Sequence, residues 1–500
     1  MAEPVLGSGA RPAAPEFDDI QAIVRFGHGH LTAAAFWLLR IADPAAAREW
    51  LGGAPVTSAI SRNPLPDTAL QLAFTAEGLR ALGLPEAAMA KFSDEFNAGL
   101  AGDESRSRRL GDIGDNAPSR WRWGAPGNVP HLLVMLYATP ERLDGWQREV
   151  MGPLWDRAFA PIELLDTAAL DGYEPFGFAD GLSQPAIDWN RAIVPGELEL
   201  EYRNVAALGE FLLGYPNEYG RYTDRPLLDP SERAATVLLP AEDDPAKRDL
   251  GRNGTYLVLR DLRQDVRGFW EFLERHAAAF GVSAQELAES MVGRSMRGRP
   301  LAHGGNRPIA GVPADDTLNQ FTFASDADGA VCPLGAHIRR ANPRNADMPG
   351  GPGGPISRLV RTLGFARGEV RGDLVAPARF HRVLRRGRKY GDDGAPDGER
   401  GLRFVCLNAN IARQFEFVQN AWLMSAHFGG LSGESDPLLG NRQLLPGCPA
   451  TSAFTRPRPD GVPTRLTALP QFVTVRGGAY FFLPGLRALR YLAGSRMDGR

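Results

Sequence analysis

Three short segments carry residue types suited to acid–base, metal or anion chemistry. The first is Gly177-Phe178-Ala179-Asp180-Gly181, inside PFGFADGLSQP. An acid between glycines, with Pro175 and Pro185 outside them, belongs on a loop. Glycine accepts backbone geometry that other residues resist and lets a ligand come close. By spacing alone, a structural Asp closing an Asx-type turn is the commoner meaning. The second is Cys332-Pro-Leu-Gly-Ala-His337-Ile-Arg339-Arg340, continuing to Arg344. A neutral imidazole is a good metal ligand, and a single His is a common axial ligand of haem iron. Guanidinium groups beside it pair with carboxylates such as haem propionates. A lone His in a basic, solvated turn is the plainer alternative. The third is Phe380-His381-Arg382-Val383-Leu384-Arg385-Arg386-Gly387-Arg388-Lys389-Tyr390-Gly391. It ends a stretch, 358–389, with ten basic residues and two acids. Such a run can track nucleic-acid phosphate, line an anion pocket or face solvent. No aromatic ladder interleaves it, which argues against nucleic acid.

Other candidates are weaker. His28 and His30 share one face of a strand but lack carboxylate or Cys company at ligand spacing. Cys332, Cys406 and Cys448 are odd in number and widely spaced, which supports neither a disulfide framework nor a CxxC zinc site. They are expected to pack as small apolar residues in a reducing compartment. No GxGxxG with an acidic partner, P-loop, HExxH or GxSxG occurs. That weakens nicotinamide, nucleotide, zinc-protease and serine-hydrolase readings. The net charge of −3 names no partner. The first residues show no basic-then-apolar leader pattern, and the apolar run at 31–41 is too short to span a bilayer. A cytoplasmic protein with no membrane partner is expected.

The elements that must position these residues alternate strand and helix. Strands are expected at 33–41, 69–74, 131–138, 255–260, 402–408, 471–475 and 479–483. Helices are expected at 44–51, 76–82, 140–151 (Thr139 as cap, Pro140 in its first turn), 261–280, 411–424 and 485–492. Two segments look like weak duplicates, FWLLRIADPAAAREWL at 36–51 and YLVLRDLRQDVRGFWEF at 256–272. Each is an apolar strand, an Arg, an Asp, then a short helix carrying Trp, which suggests one α+β unit used twice. With 57 glycines and 40 prolines in 500 residues, a coiled coil or plain helix bundle is excluded. Long connections are expected instead, above all NPRNADMPGGPGGP at 342–355. The expected division is a disordered arm at 1–16, an N-terminal domain at 17–245 carrying the Asp180 loop, and a C-terminal domain at 246–500.

Taken in order, GFADG (177–181), AHIRRANPR (336–344) and RVLRRGRKYG (382–391) resemble the dye-decolourising peroxidase family of haem enzymes. RGLRFVCLNANIARQFEFVQNAW (400–422), FVTVRGGAYFFLPGLRALRYL (472–492) and DIQAIVRFGHGHLTAAAFWLLRI (19–41) extend the likeness over nearly all the globular part. The resemblance implies an α+β fold of duplicated ferredoxin-like domains, with antiparallel sheets, helices and haem b (iron protoporphyrin IX) in the C-terminal half. It implies a peroxidase acting on hydrogen peroxide and an organic, dye- or phenol-like donor.

Residue by residue, the resemblance makes Asp180 and Arg385 catalytic and His337 the iron ligand. It places Arg340 or Arg344 near the haem propionates. Asp180 would move a proton between the two peroxide oxygens, and Arg385 would stabilise charge on the departing one. His337 is expected to donate its other ring N–H to a carboxylate, Glu434 or Asp436. Some bacterial members carry Asn where this chain has Gly387, so one polar side chain fewer is expected there. Tyr390 and Trp422 are expected to be core residues rather than electron relays. The alternative is a haem-handling protein with incidental peroxidase activity, which needs His337 but neither Asp180 nor Arg385. Oligomeric state is not legible.

Overall fold

The computed structural model describes residues 14–193, 204–303, 318–344, 377–391, 398–444, 450–458 and 461–494. Nine strands there build one sheet: β1 (Ala33–Ile41), β2 (Thr68–Phe74), β3 (Leu132–Ala138), β4 (Phe159–Asp166), β5 (Thr255–Gln264), β6 (Leu384–Arg385), β7 (Arg388–Tyr390), β8 (Arg400–Asn408) and β9 (Val473–Leu483). Their order is β6-β8-β5-β9-β2-β3-β1-β4, with β7 also on β8, and every pairing is antiparallel. Within β1–β4 the order is 4-1-3-2. Counting β6 and β7 as one strand, the second half has the same order. This is the ferredoxin-like arrangement used twice, in an α+β fold.

The two duplicate segments occupy the same place in each half. The first runs from β1 into helix α1 (Pro44–Gly53), the second from β5 into helix α3 (Val266–Ala277). Helix α2 (Leu143–Met151) lies between them in the chain. An Asp caps each helix of the pair. Asp43 accepts the Ala45 and Ala46 N–H groups at 2.8 and 3.1 Å, and Asp265 accepts that of Gly268 at 3.0 Å. Those bonds satisfy donors that a helix start leaves open. The halves meet where Phe482 of β9 pairs with Phe74 of β2, and Phe92 packs 5.1 Å from the Phe482 ring.

Alternation along the strands sends Val258, Cys406 and Tyr480 to one face, and Leu257, Val405 and Phe481 to the other. The Val258 face is covered by α3, by α4 (Ala284–Val292) and by the segment 412–423, which is wound as π-helical turns. Helix α5 (His337–Ala341) packs against that segment, and α6 (Leu486–Ala493) packs on α1.

Several expectations are corrected. Strand β5 runs on to Gln264 because Asp261 pairs with Arg403 of β8 inside the sheet, so the helix starts only after Asp265. The strands at 471–475 and 479–483 are one strand with a bulge after Val475. Gly477 there leaves room for the Trp123 indole, which a Cβ would approach to 2.5 Å. At 140–142 the chain forms a turn, with Arg142 N–H on the Thr139 carbonyl, before α2 begins. Glu16, the end of the expected arm, is held by the Tyr215 hydroxyl at 2.7 Å and Arg252 at 2.9 Å; residues 1–13 lie outside the described residues. So do Cys448 and the connection from 345 onward. Cys332, Cys406, Tyr390 and Trp422 are buried. Among the described residues no helix is long and apolar enough to cross a membrane.

Candidate active site

Asp180 sits on a loop whose glycines take the left-handed backbone region, φ being 98° at Gly177 and 81° at Gly181. A Cβ at 177 would also lie 2.9 Å from Met296 Cε. The Asp180 N–H donates to the Gly172 carbonyl at 2.9 Å, and Oδ1 accepts the Gly181 N–H at 2.6 Å. Oδ1 also faces Arg385 Nη1 at 3.5 Å, with the two side chains 42% and 33% exposed. The pair therefore borders open space. Among the described residues Oδ2 has no hydrogen-bond partner.

Arg385 is carried by β6, where it pairs with Cys406 of β8. Gly387, between β6 and β7, presses on β8: a Cβ would lie 2.7 Å from the Arg403 carbonyl oxygen. Glycine at this place thus has a backbone cause. The neighbouring cations are engaged by protein acceptors. Arg386 donates to the Ile23 and Val24 carbonyls, Arg388 to those of His28 and Leu31. Lys389 pairs with Asp171 at 2.7 Å, and Arg379 with Glu218. The described end of the basic run is thus turned inward; residues 358–376 lie outside the described residues.

His337 is the first residue of α5. Its Nδ1 lies 2.9 Å from Asp436 Oδ2. Asp436 is wholly buried, and its Oδ1 accepts the Leu438 and Leu439 N–H groups at 3.0 and 2.8 Å. Burial pushes the Asp436 pKa up, but His337, the Leu439 amide and Arg340 outweigh it and hold it below the usual value. An ionised Asp436 requires Nδ1 to be the donor, which leaves the Nε2 lone pair free. Glu434 is used elsewhere, by the Thr455 amide and hydroxyl.

The other two predicted residues part company. Arg344 lines the same cavity as His337, with Nη1 donating to the Asn319 and Phe321 carbonyls at 2.7 and 2.8 Å. Of the two, Arg344 borders that cavity and Arg340 does not. The Arg340 guanidinium is buried against the carbonyls of Trp422, Ser425 and Glu434 at 2.8, 3.1 and 2.7 Å.

Asp180, Arg385, His337 and Arg344 all border one cavity of about 690 Å³. Its wall includes Leu262, Phe404, Phe415 and Leu439. Sequence reasoning missed Arg294 there, which donates to the Gly298 and Leu318 carbonyls and to Ser183. Burial, with Arg344 and Arg385 nearby, pushes its pKa down to about 9. It missed Glu174, Gln184 and Gln264 as well. His381 was quoted only as part of its motif. It lines the cavity, stacks on Phe417 at 3.6 Å and directs Nδ1 at the Arg413 carbonyl. These residues fit haem b: one imidazole nitrogen free to bind iron, apolar walls for a porphyrin, and buried cations for carboxylates. Among the described residues no group of three or more His, Cys, Asp or Glu is placed to hold a bare metal ion.

No family model matches the chain. It is 28% identical over 515 residues to the dye-decolorizing peroxidase of Exidia glandulosa, covering 94% of this chain and 86% of that one. It is 28% identical over 450 residues to the multifunctional dye peroxidase DyP2 of an Amycolatopsis species, covering 85% and 82%. In structure it resembles the fungal DyP-type peroxidase of Auricularia auricula-judae, with TM-score 0.68, 24% identity, and 97% and 100% of the two chains covered.

Proposed function

From the premise that the chain belongs to the dye-decolorizing peroxidase family, we propose that it is a haem-dependent peroxidase in which His337 holds the iron and Asp180 and Arg385 act on hydrogen peroxide. An organic donor supplies the electrons. The observation that carries the assignment of residues is that His337, its Nδ1 held by Asp436, and the Asp180–Arg385 pair border one cavity.

Haem, when bound, supplies an iron that takes up peroxide and a ring that stores oxidising equivalents. The chain does the rest. Asp436 fixes the His337 tautomer and the orientation of its ring. Asp180 Oδ1 is occupied by the Gly181 N–H and faces Arg385, so the proton leaving the inner peroxide oxygen is taken by Oδ2. The same atom returns it to the outer oxygen, which leaves as water. Arg385 Nη1, near Oδ1, stabilises negative charge on the departing oxygen. Arg294 and Arg344 hold the propionates.

The experiment is an absorption spectrum of the haem-reconstituted protein before and after one equivalent of peroxide, for the wild type and for Asp180→Asn. The reading expects a Soret band that changes within the mixing time in the wild type and far more slowly in the variant. A haem-handling protein would show the same Soret band in both and no dependence on Asp180.

A further inference from the structure

Ahead of Asp180 lies a half-buried carboxylate that the mechanism does not use. Glu174 occupies the front of the loop, and its side chain folds back over the loop's own backbone. Oε1 accepts the Phe178 N–H at 2.9 Å, and Oε2 accepts the Phe176 N–H at 3.0 Å. The main chain closes the same turn, with Glu174 N–H on the Phe178 carbonyl at 2.9 Å and Gly177 N–H on the Glu174 carbonyl at 2.8 Å. Oε2 accepts a further bond, from Gln264 Nε2 at 2.8 Å. Gln264 ends β5, in the half that carries Arg385 and His337. The carboxylate thus joins the Asp180 loop to the sheet of the other half.

We infer that Glu174 is the positioning residue for Asp180, setting where its carboxylate stands relative to Arg385 by clamping the 174–178 turn to Gln264 of β5. The turn's other anchors act with it. The Phe176 ring packs 4.5 Å from Phe269, and the Ala179 N–H donates to the Met296 carbonyl at 2.9 Å. Neither anchor spans Phe176 to Phe178, the stretch where Gly177 takes its left-handed conformation. Among the described residues only the Glu174 carboxylate bonds both amides around that glycine. Without it the turn keeps its main-chain bonds and Asp180 its bond to the Gly172 carbonyl, but the tie from the turn to Gln264 of β5 is lost and the 3.5 Å separation from Arg385 loosens. A carboxylate suits the place because it offers only acceptors, to three donors.

This inference rests on the peroxidase reading, and its test separates the two. The haem-loaded full chain is compared with Glu174→Leu, Glu174→Gln and Gln264→Met. Measured are kcat/KM for hydrogen peroxide, kcat/KM for a phenolic donor, haem titration by the Soret band, and deuterium exchange in peptides covering 174–181. Glu174→Leu is expected to lower the peroxide kcat/KM by about 10- to 100-fold, as small misplacements of reacting groups do. Exchange should speed up, with the donor kcat/KM and haem titration unchanged. Glu174→Gln, which keeps one acceptor oxygen, and Gln264→Met, which removes one donor, should fall between. A wild-type peroxide kcat/KM in Glu174→Leu would overturn the inference, as would equal losses in both steps with weaker haem binding. If Glu174→Leu does not fold, the other two variants decide by the same outcomes. A wild-type protein that does not turn over peroxide refutes the peroxidase reading. Unchanged exchange at 174–181 in the variants refutes this inference alone.

Discussion

Gln184 accepts the backbone N–H of Arg385 at 3.0 Å through its Oε1. The segment after Asp180 is therefore bonded directly to the strand that carries its partner. Gln184 is itself tethered, its carbonyl accepting Asn204 Nδ2 at 3.0 Å and Asn319 Nδ2 at 2.7 Å. Gln184→Leu strands the Arg385 N–H, at a cost of about 1 kcal/mol for a partly buried donor. It should lower both the melting temperature and the peroxide kcat/KM, while Gln184→Glu, which keeps an acceptor, should retain most of each. Wild-type peroxide kinetics in Gln184→Leu would show that this bond does not set the position of Arg385.

Asp180 and Arg385 should affect the peroxide step and leave haem in place, because neither touches His337 or Asp436. Asp180→Asn cannot carry the proton, and losing a general base typically costs about 10²- to 10⁴-fold. On the proposed mechanism Arg385→Leu removes the group that stabilises the outgoing oxygen, worth roughly 10²- to 10³-fold. Stopped-flow spectra at the Soret band measure both. A variant that loses the band itself would mean that its residue holds the cofactor.

His337→Ala should leave a protein that binds haem weakly and lacks the spectrum of an axial imidazole. Asp436→Asn is the finer test. Its oxygen would stay with the Leu438 and Leu439 amides, turning an NH₂ toward His337 Nδ1. The imidazole would then have to accept at Nδ1 and carry its proton on Nε2, the nitrogen proposed to bind iron. Haem affinity is expected to fall by about 10- to 100-fold, read by titration against the Soret band. Unchanged affinity would place the axial ligand elsewhere.

What the sequence could and could not show follows from distance along the chain. Asp180, His337 and Arg385 enter as candidates because each lies in a short motif that carries the resemblance, and the structure brings all three to one cavity. The repeated fold is legible because β1 with α1 and β5 with α3 carry the same apolar strand, Asp cap and helix. What Arg340 bonds is not legible, because its partners are three carbonyls 82 to 94 residues downstream. The same holds for Glu174, whose third bond comes from Gln264, and for the choice of Asp436 over Glu434, made by Thr455. Asp261 and the glycines at 477 and 478 misled for a related reason. A polar residue or a glycine pair reads as a strand end unless the partner across the sheet is known.

Asp112 and Arg260 form a second, fully buried acid–base pair at the same cavity, only 1% and 3% of their side chains being exposed. Burial, the largest influence, pushes the Asp112 pKa from 3.8 up to about 6, and the attraction of Arg260 does not cancel it. Between about pH 4 and 6 the folded chain then binds more protons at this group than the unfolded chain does. Its contribution to stability is therefore greatest at low pH and falls as pH rises through that window. A rise of that size corresponds to about 2–3 kcal/mol. Asp112→Asn mimics the protonated form and keeps an acceptor for Arg260. It is expected to match the wild type in urea unfolding near pH 4 and to exceed it by that amount at pH 7, both proteins being haem-loaded. That sign is opposite to the usual loss on breaking a buried ion pair, about 3–5 kcal/mol. A variant less stable than the wild type at pH 7 would show that the Arg260 attraction outweighs burial, and that Asp112 is ionised throughout.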